Sequence, residues 1–89
     1  MQIAWNDPTP PYDPEATRTG LTARRVYEVR STDAGWAVWV RPRLCRTGEH
    51  GLAVYDWTEL GDGFATAAVA IVTAQICEDG ATAAEEVEL

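Results

Sequence analysis

Along residues 36–46, WAVWVRPRLCR, side chains alternate in the period-two pattern of an extended strand with two unlike faces. The even positions are Trp36, Val38, Val40, Pro42 and Leu44; the odd ones are Ala37, Trp39, Arg41, Arg43 and Cys45. The even set suits a core, which leaves a tryptophan beside two arginines on the outward side. Residues 22–31, TARRVYEVRS, alternate as well, with Tyr27 and Val29 on one side and Val26, Glu28 and Arg30 on the other. Thr32-Asp33-Ala34-Gly35 between them is turn chemistry, so the two runs predict a hairpin. Pro42 limits pairing there, as expected near an edge or a strand end. After a second turn at residues 47–51, LAVYDW at 52–57 predicts a third strand. It sets Leu52, Val54 and Asp56 on one side and Ala53, Tyr55 and Trp57 on the other.

The period then changes. Residues 64–77, FATAAVAIVTAQIC, hold no charge, no proline and no glycine, and predict a helix. Asp62 is placed to cap its N-terminus and Gly80 to end it. Phe64, Ala68, Ile71, Val72, Gln75 and Ile76 form the expected core stripe. Thr66, Ala70, Thr73 and Cys77 fall on another face, small enough for a second helix to approach, and are the candidate homodimer face. A solvent-facing helix side normally carries charge; this one has none before Glu78, which implies cover on more than one side. The tail ATAAEEVEL reads as further helix or as an edge strand, with helix preferred. Upstream, four prolines between positions 8 and 14 make residues 1–20 an extended arm, anchored by Ile3 and Trp5. The expected architecture is an α+β domain over residues 21–89, a three-stranded antiparallel sheet with one long helix packed on one face (β-β-β-α), preceded by that Pro-rich N-terminal arm.

Eighty-nine residues support one core. An apolar share of 46% with 24% charged residues belongs to a globular chain. The first residues meet an acid and prolines at once, unlike a leader peptide. The charge-free run at 63–77 falls short of the ~20 apolar residues that span a bilayer. A soluble, cytoplasmic protein follows, with no membrane partner and with Cys45 and Cys77 reduced.

Charge changes the picture further. The net charge is -7, every base is arginine, and the signs are segregated: -3 over residues 1–17, +5 over 18–46, -9 over 47–89. With the even positions of the second strand under the helix, the open sheet face gathers Trp39, Arg41 and Arg43 with Tyr55 and Trp57. Tyr27 joins them in one strand register and not in another. Trp, Tyr and Arg dominate binding hot spots, so these five are the candidate partner-binding residues. The competing reading has the protein's own proline arm folded over the same rings. Interleaved rings and arginines also suit stacked bases and phosphates, but a net charge of -7 repels a polyanion. That favours a protein partner. The acids Glu78, Asp79, Glu85, Glu86 and Glu88 form a second candidate surface, able to imitate a phosphate backbone or simply to keep the chain soluble.

Catalytic chemistry finds little footing. His50 is the single histidine and Ser31 the single serine, and no nucleophile–base arrangement is identifiable. Cys45 with His50 is too small a set for a metal. Asp62 at the centre of Gly61-Asp62-Gly63 opposes anion binding at the helix start. No catalytic residue, metal or cofactor is expected.

In its small size, acidity, missing catalytic set, lone β-β-β-α unit and acidic run Glu78, Asp79, Glu85, Glu86, Glu88, the chain resembles the anti-CRISPR inhibitors that phages make against bacterial defence. The resemblance is one of type; those inhibitors share no sequence signature, so no residue role carries over. It implies a non-enzymatic inhibitor that binds a Cas protein or crRNA-guided complex in the host cytoplasm and blocks DNA recruitment or cleavage. The strand–strand–helix order with GWAVWV and the alanine-rich helix also resembles small antitoxins of the HicB kind, from which the insert at 43–57 and the missing DNA-binding extension depart. The other readings are a single-stranded nucleic-acid-binding module and a structural homodimer.

Overall fold

The computed structural model describes residues 1–6 and 16–87, with side chains through Glu85. Among these residues the fold is α+β, with one helix against an antiparallel sheet of five strands instead of the three expected. In chain order the elements are β1 (Ala4–Trp5), β2 (Arg18–Leu21), β3 (Arg25–Thr32), β4 (Gly35–Pro42), β5 (Arg46–Thr47), a 3-10 turn (Glu49–Gly51), β6 (Ala53–Val54), β7 (Thr58–Phe64) and α1 (Ala67–Val87). The main sheet runs β1-β2-β3-β4-β7, while β5 and β6 form a separate two-stranded ribbon inserted between β4 and β7. No helix among the described residues is long and apolar enough to cross a membrane.

The two added strands on the N-terminal side come from the segment expected to be an arm. Ala4 pairs with Leu21 and Trp5 with Gly20, and Arg18 to Leu21 pair with Val29 to Val26. Gly20 makes this possible: a Cβ there would lie 2.5 Å from Ile3 Cγ2 and 2.9 Å from the Trp5 ring. Ile3 and Trp5 therefore do anchor the N-terminus, under the helix. The four prolines lie at positions outside the described residues.

The β3–β4 hairpin is as expected, with Tyr27 opposite Val40, Val29 opposite Val38 and Ser31 opposite Trp36. The third expected strand is misplaced. Residues 53–54 pair only with 46–47, and Leu52 stands exposed on the ribbon. The sheet instead takes residues 58–64, where Thr58 meets Val40, Glu59 meets Trp39, Gly61 meets Val38 and Phe64 meets Trp36, with two irregularities in register. Such bulges admit the extra residues of a glycine-rich, acidic strand. Asp62 consequently caps no helix; its Oδ1 accepts Gly63 N and Thr32 Oγ1, each at 2.7 Å.

The helix begins three residues after Phe64, where Thr66 Oγ1 accepts the amide of Val69 at 3.2 Å. It runs through Gly80, although glycine costs about 1 kcal/mol relative to alanine in a helix interior. Glu78 before the glycine and Glu85 after it are both tied to arginines of the β2–β3 corner and β3, which holds the helix across the weak point.

The face that meets the sheet also differs. Ala70 and Ala74 are fully buried with Ile3, Tyr27, Val29 and Val38, flanked by Trp5, Trp36, Val40, Phe64, Ala67 and Ile71. Large side chains from the sheet fill the layer, so the helix contributes its small ones and sits close. Of the expected stripe, Phe64 (now a strand residue), Ile71 and Gln75 are partly covered, whereas Ala68, Val72 and Ile76 are exposed.

Candidate functional site

Strand register decides which residues share the sheet face away from the helix. Glu28 pairs with Trp39, Val26 with Arg41 and Arg30 with Ala37, so these six project together. The β5–β6 ribbon then returns the chain over that face and delivers Tyr55 and Trp57. The Arg30 guanidinium carbon lies 5.2 Å from the centre of the Trp39 ring and 5.1 Å from that of Trp57. Arg41 lies 5.2 Å from Trp57 and 4.6 Å from Tyr55. Rings and cations thus alternate in one ladder: Trp39, Arg30, Trp57, Arg41, Tyr55. Each contact falls within the ~6 Å at which a guanidinium is held by a ring quadrupole.

Polar contacts fix the ladder's members. Arg30 Nε donates to Glu28 Oε2 at 2.6 Å, and Arg41 Nη1 donates to the carbonyls of Pro42 and Arg43 at 3.1 and 3.3 Å. Arg46 Nε donates to both carboxylate oxygens of Asp56, pinning the ribbon at the residue between the two rings. Val26 and Ala37 are buried although they point away from the helix. The ladder therefore forms a second covering layer with its own small apolar floor. Its outer rung is open: Tyr55 is 54% exposed.

Four of the five residues expected on this face, Trp39, Arg41, Tyr55 and Trp57, are brought together. Arg43 is not; its backbone bonds Arg24 and its Nη1 donates to the Thr22 carbonyl at 3.1 Å, turned to the β2–β3 corner. Tyr27 faces the helix. Arg30, the rung between the two tryptophans, was not among the expected residues: strand alternation opposed it to Tyr27, and only the register with β4 decides which of the two shares this face.

The acidic candidates are dispersed. Glu78 has no exposed surface: Arg25 donates Nε to its Oε1 at 2.8 Å and Nη2 to its Oε2 at 3.0 Å, and Thr82 Oγ1 donates at 2.9 Å. The Arg25 hydrogen bonds hold the Glu78 carboxyl below the usual carboxylate range. Burial pushes the neighbouring Tyr27 phenol up to about 12. Glu85 pairs with Arg24 and, through an oxygen that accepts no hydrogen bond, with Arg25. Asp79 accepts from Gln75 Nε2 at 2.9 Å. The Glu86 side chain and Glu88 lie outside the described residues. Buried Glu78 and paired Glu85 make a strut between helix and sheet, not an acidic surface.

Nor do Thr66, Ala70, Thr73 and Cys77 form one open face. Ala70 is buried against the sheet, Thr66 caps the helix, Thr73 Oγ1 donates to the Val69 carbonyl at 2.9 Å, and Cys77 is half covered. Cys45 is exposed and both thiols are free. An open groove of about 200 Å³ lies beside Arg24, Arg25, Val40, Arg41, Pro42 and Thr58. Arg24 and Arg25 are already committed to Glu85 and Glu78. Among the described residues, no three of His, Cys, Asp and Glu converge as a metal-holding group.

No protein-family model, curated protein or solved structure matches the chain.

Proposed function

We propose that this chain is a non-enzymatic protein-binding inhibitor that docks through the ladder Trp39–Arg30–Trp57–Arg41–Tyr55. The observation that carries the reading is the ladder itself: two arginines and three rings stacked on the sheet face opposite the helix, with the outer ring open. Arg30 spends its Nε on Glu28 and Arg41 one Nη on the Pro42 and Arg43 carbonyls, and the remaining N–H groups of each five-donor guanidinium are left for acceptors. A partner surface presenting carboxylates among apolar side chains matches that arrangement, since Arg, Trp and Tyr supply area and directed hydrogen bonds together. Inhibition of a Cas protein or crRNA-guided complex is the form implied by the resemblance to anti-CRISPR proteins. In that form the aromatic–arginine face carries the docking, because Glu78 and Glu85 are spent inside the molecule and are not free to imitate phosphates.

The same ladder disfavours single-stranded nucleic acid as the partner. Bases bind such proteins by stacking on several open rings in succession, and here Trp57 meets two guanidinium groups, Trp39 meets one, and only the outer ring, Tyr55, is open. The test is affinity capture with the wild type, Trp57→Ala, Arg41→Glu and the turn variant Asp33→Asn. One protein retained by wild type and Asp33→Asn, and lost with both ladder variants, supports the reading. Retention by all four removes the ladder from it. Quenching of tryptophan fluorescence by oligonucleotides at low salt would replace it with nucleic-acid binding.

A further inference from the structure

The groove beside the ladder lies at the end of the sheet where β4 stops and β3 and β7 begin, with Arg25 opposite Pro42 and Thr58 opposite Val40. Two of its arginines, Arg24 and Arg25, have their charges balanced by Glu85 and Glu78. The third, Arg41, belongs to none of the ion pairs among the described residues. Its Nη1 donates to the Pro42 and Arg43 carbonyls, while its Nε and Nη2 meet no acceptor among the described residues. Those two N–H groups share one edge of the guanidinium plane and match the two oxygens of a carboxylate. We infer that this groove is a carboxylate subsite that takes one acidic side chain of the protein partner. Arg41 is also the ladder rung between Trp57 and Tyr55, so the subsite rests on the docking reading and names the partner's anchor.

Size and charge select the occupant. A volume of about 200 Å³ is below the ~300–1,000 Å³ of a small-molecule site and suits one side chain of a larger body. Val40 and Pro42 offer apolar surface to its methylene stem, and Thr58 adds a hydroxyl to the same lining. One uncompensated cation suits one negative charge. A phosphate brings about two, and Glu78 and Glu85, bonded to the other two arginines, would repel the surplus. Tyr55 and Trp57, with ring centres 4.6 and 5.2 Å from the Arg41 guanidinium carbon, hold its plane before a partner arrives. Little side-chain freedom is then lost on binding. The net charge of -7 opposes an acidic partner, but that repulsion is screened beyond about 8 Å at physiological ionic strength. The contact at Arg41 acts inside that range.

Heteronuclear NMR of the full chain, titrated with N-acetylglutamate N-methylamide at physiological ionic strength, tests this. The Arg41 Nε–H resonance, assigned by its loss in Arg41→Lys, and the Thr58 amide should shift together and saturate at millimolar probe. The glutamine analogue, alike in shape but uncharged, should shift neither, and inorganic phosphate should bind several-fold more weakly. Arg41→Lys lacks the planar fork and should bind the probe several-fold more weakly, read at the Thr58 amide. Thr58→Glu fills the groove with the chain's own carboxylate and should abolish the response; position 58 is exposed, so circular dichroism should be unchanged. No saturable shift at Arg41, an equal response to the glutamine analogue, or tighter binding of phosphate overturns the inference. So does a response that survives both substitutions. The titration needs no partner, so its failure is distinct from a failed affinity capture, which would remove the docking reading.

Discussion

Arg25 on β3 and Glu78 on α1 form a two-pronged ion pair in which the carboxylate is wholly buried. Because both guanidinium bonds are directional, the pair fixes how the helix lies over the sheet as well as holding it there. The small alanine contacts alone specify that placement less tightly.

Removing Arg25 leaves the buried Glu78 carboxylate stranded in the interior. Arg25→Ala is expected to cost about 3–5 kcal/mol, read as a lower urea midpoint. Asp56→Ala breaks the exposed pair with Arg46 and should cost no more than about 1 kcal/mol. Equal losses from the two would contradict the assignment of the strut to the core.

The same groups set the pH limits. The folded-state value of Glu78 is depressed from 4.5, so its stabilisation is complete above the unfolded value and is lost as pH falls below 4.5 through the depressed one. Tyr27 is raised from 10 to about 12; its contribution is complete below pH 10 and is lost as pH rises from 10 to 12. Urea midpoints for Glu78→Gln should therefore depend less on acid than wild type, and those for Tyr27→Phe less on alkali. Parallel pH curves for wild type and variant would reject the corresponding link.

Two glycines have opposite expected effects. Gly20→Ala drives a methyl group into Ile3 and Trp5, pushing β1 off the core at a cost of about 1–3 kcal/mol. Gly80→Ala meets nothing within 4 Å and should stabilise the helix by about 1 kcal/mol. Thermal unfolding of the two variants provides the comparison. A stabilising Gly20→Ala would mean that β1 is not packed as described.

The hairpin and the parity of its faces were legible because Trp36, Val38 and Val40 alternate with Trp39 and Arg41, and alternation needs no tertiary information. Strand β7 was not. ELGDGF has two glycines and two acids, little β-propensity, and an Asp that reads equally well as a helix cap; only bulged pairing with β4 makes it a strand. The helix face was misread because valine and isoleucine looked like core. Tyr27, Trp36 and the sheet's valines already fill that layer, and alanine is what fits against them. Glu78 looked like a surface acid for want of a pairing that only the folded register provides. In the ladder, the rings were visible from composition, while Arg30 needed the observation that its guanidinium is shared between Trp39 and Trp57.

The ladder's effect on folding should be modest. Exposed cation–π contacts contribute roughly 0.5–1 kcal/mol each, and Trp57 makes two. Trp57→Ala is accordingly expected to lose on the order of 1–2 kcal/mol while remaining folded by circular dichroism. Unfolding of the variant would make Trp57 a core residue instead of a docking residue.

The central claim is that the ladder face meets a protein partner, and a photo-crosslinking phenylalanine placed at Tyr55, with a second at the turn residue Asp33, tests it most directly in cells that express the chain. The account predicts one discrete covalent adduct from position 55 that disappears when Arg41→Glu is added, and none from position 33. No adduct at 55, or the same adduct from both positions, would contradict it.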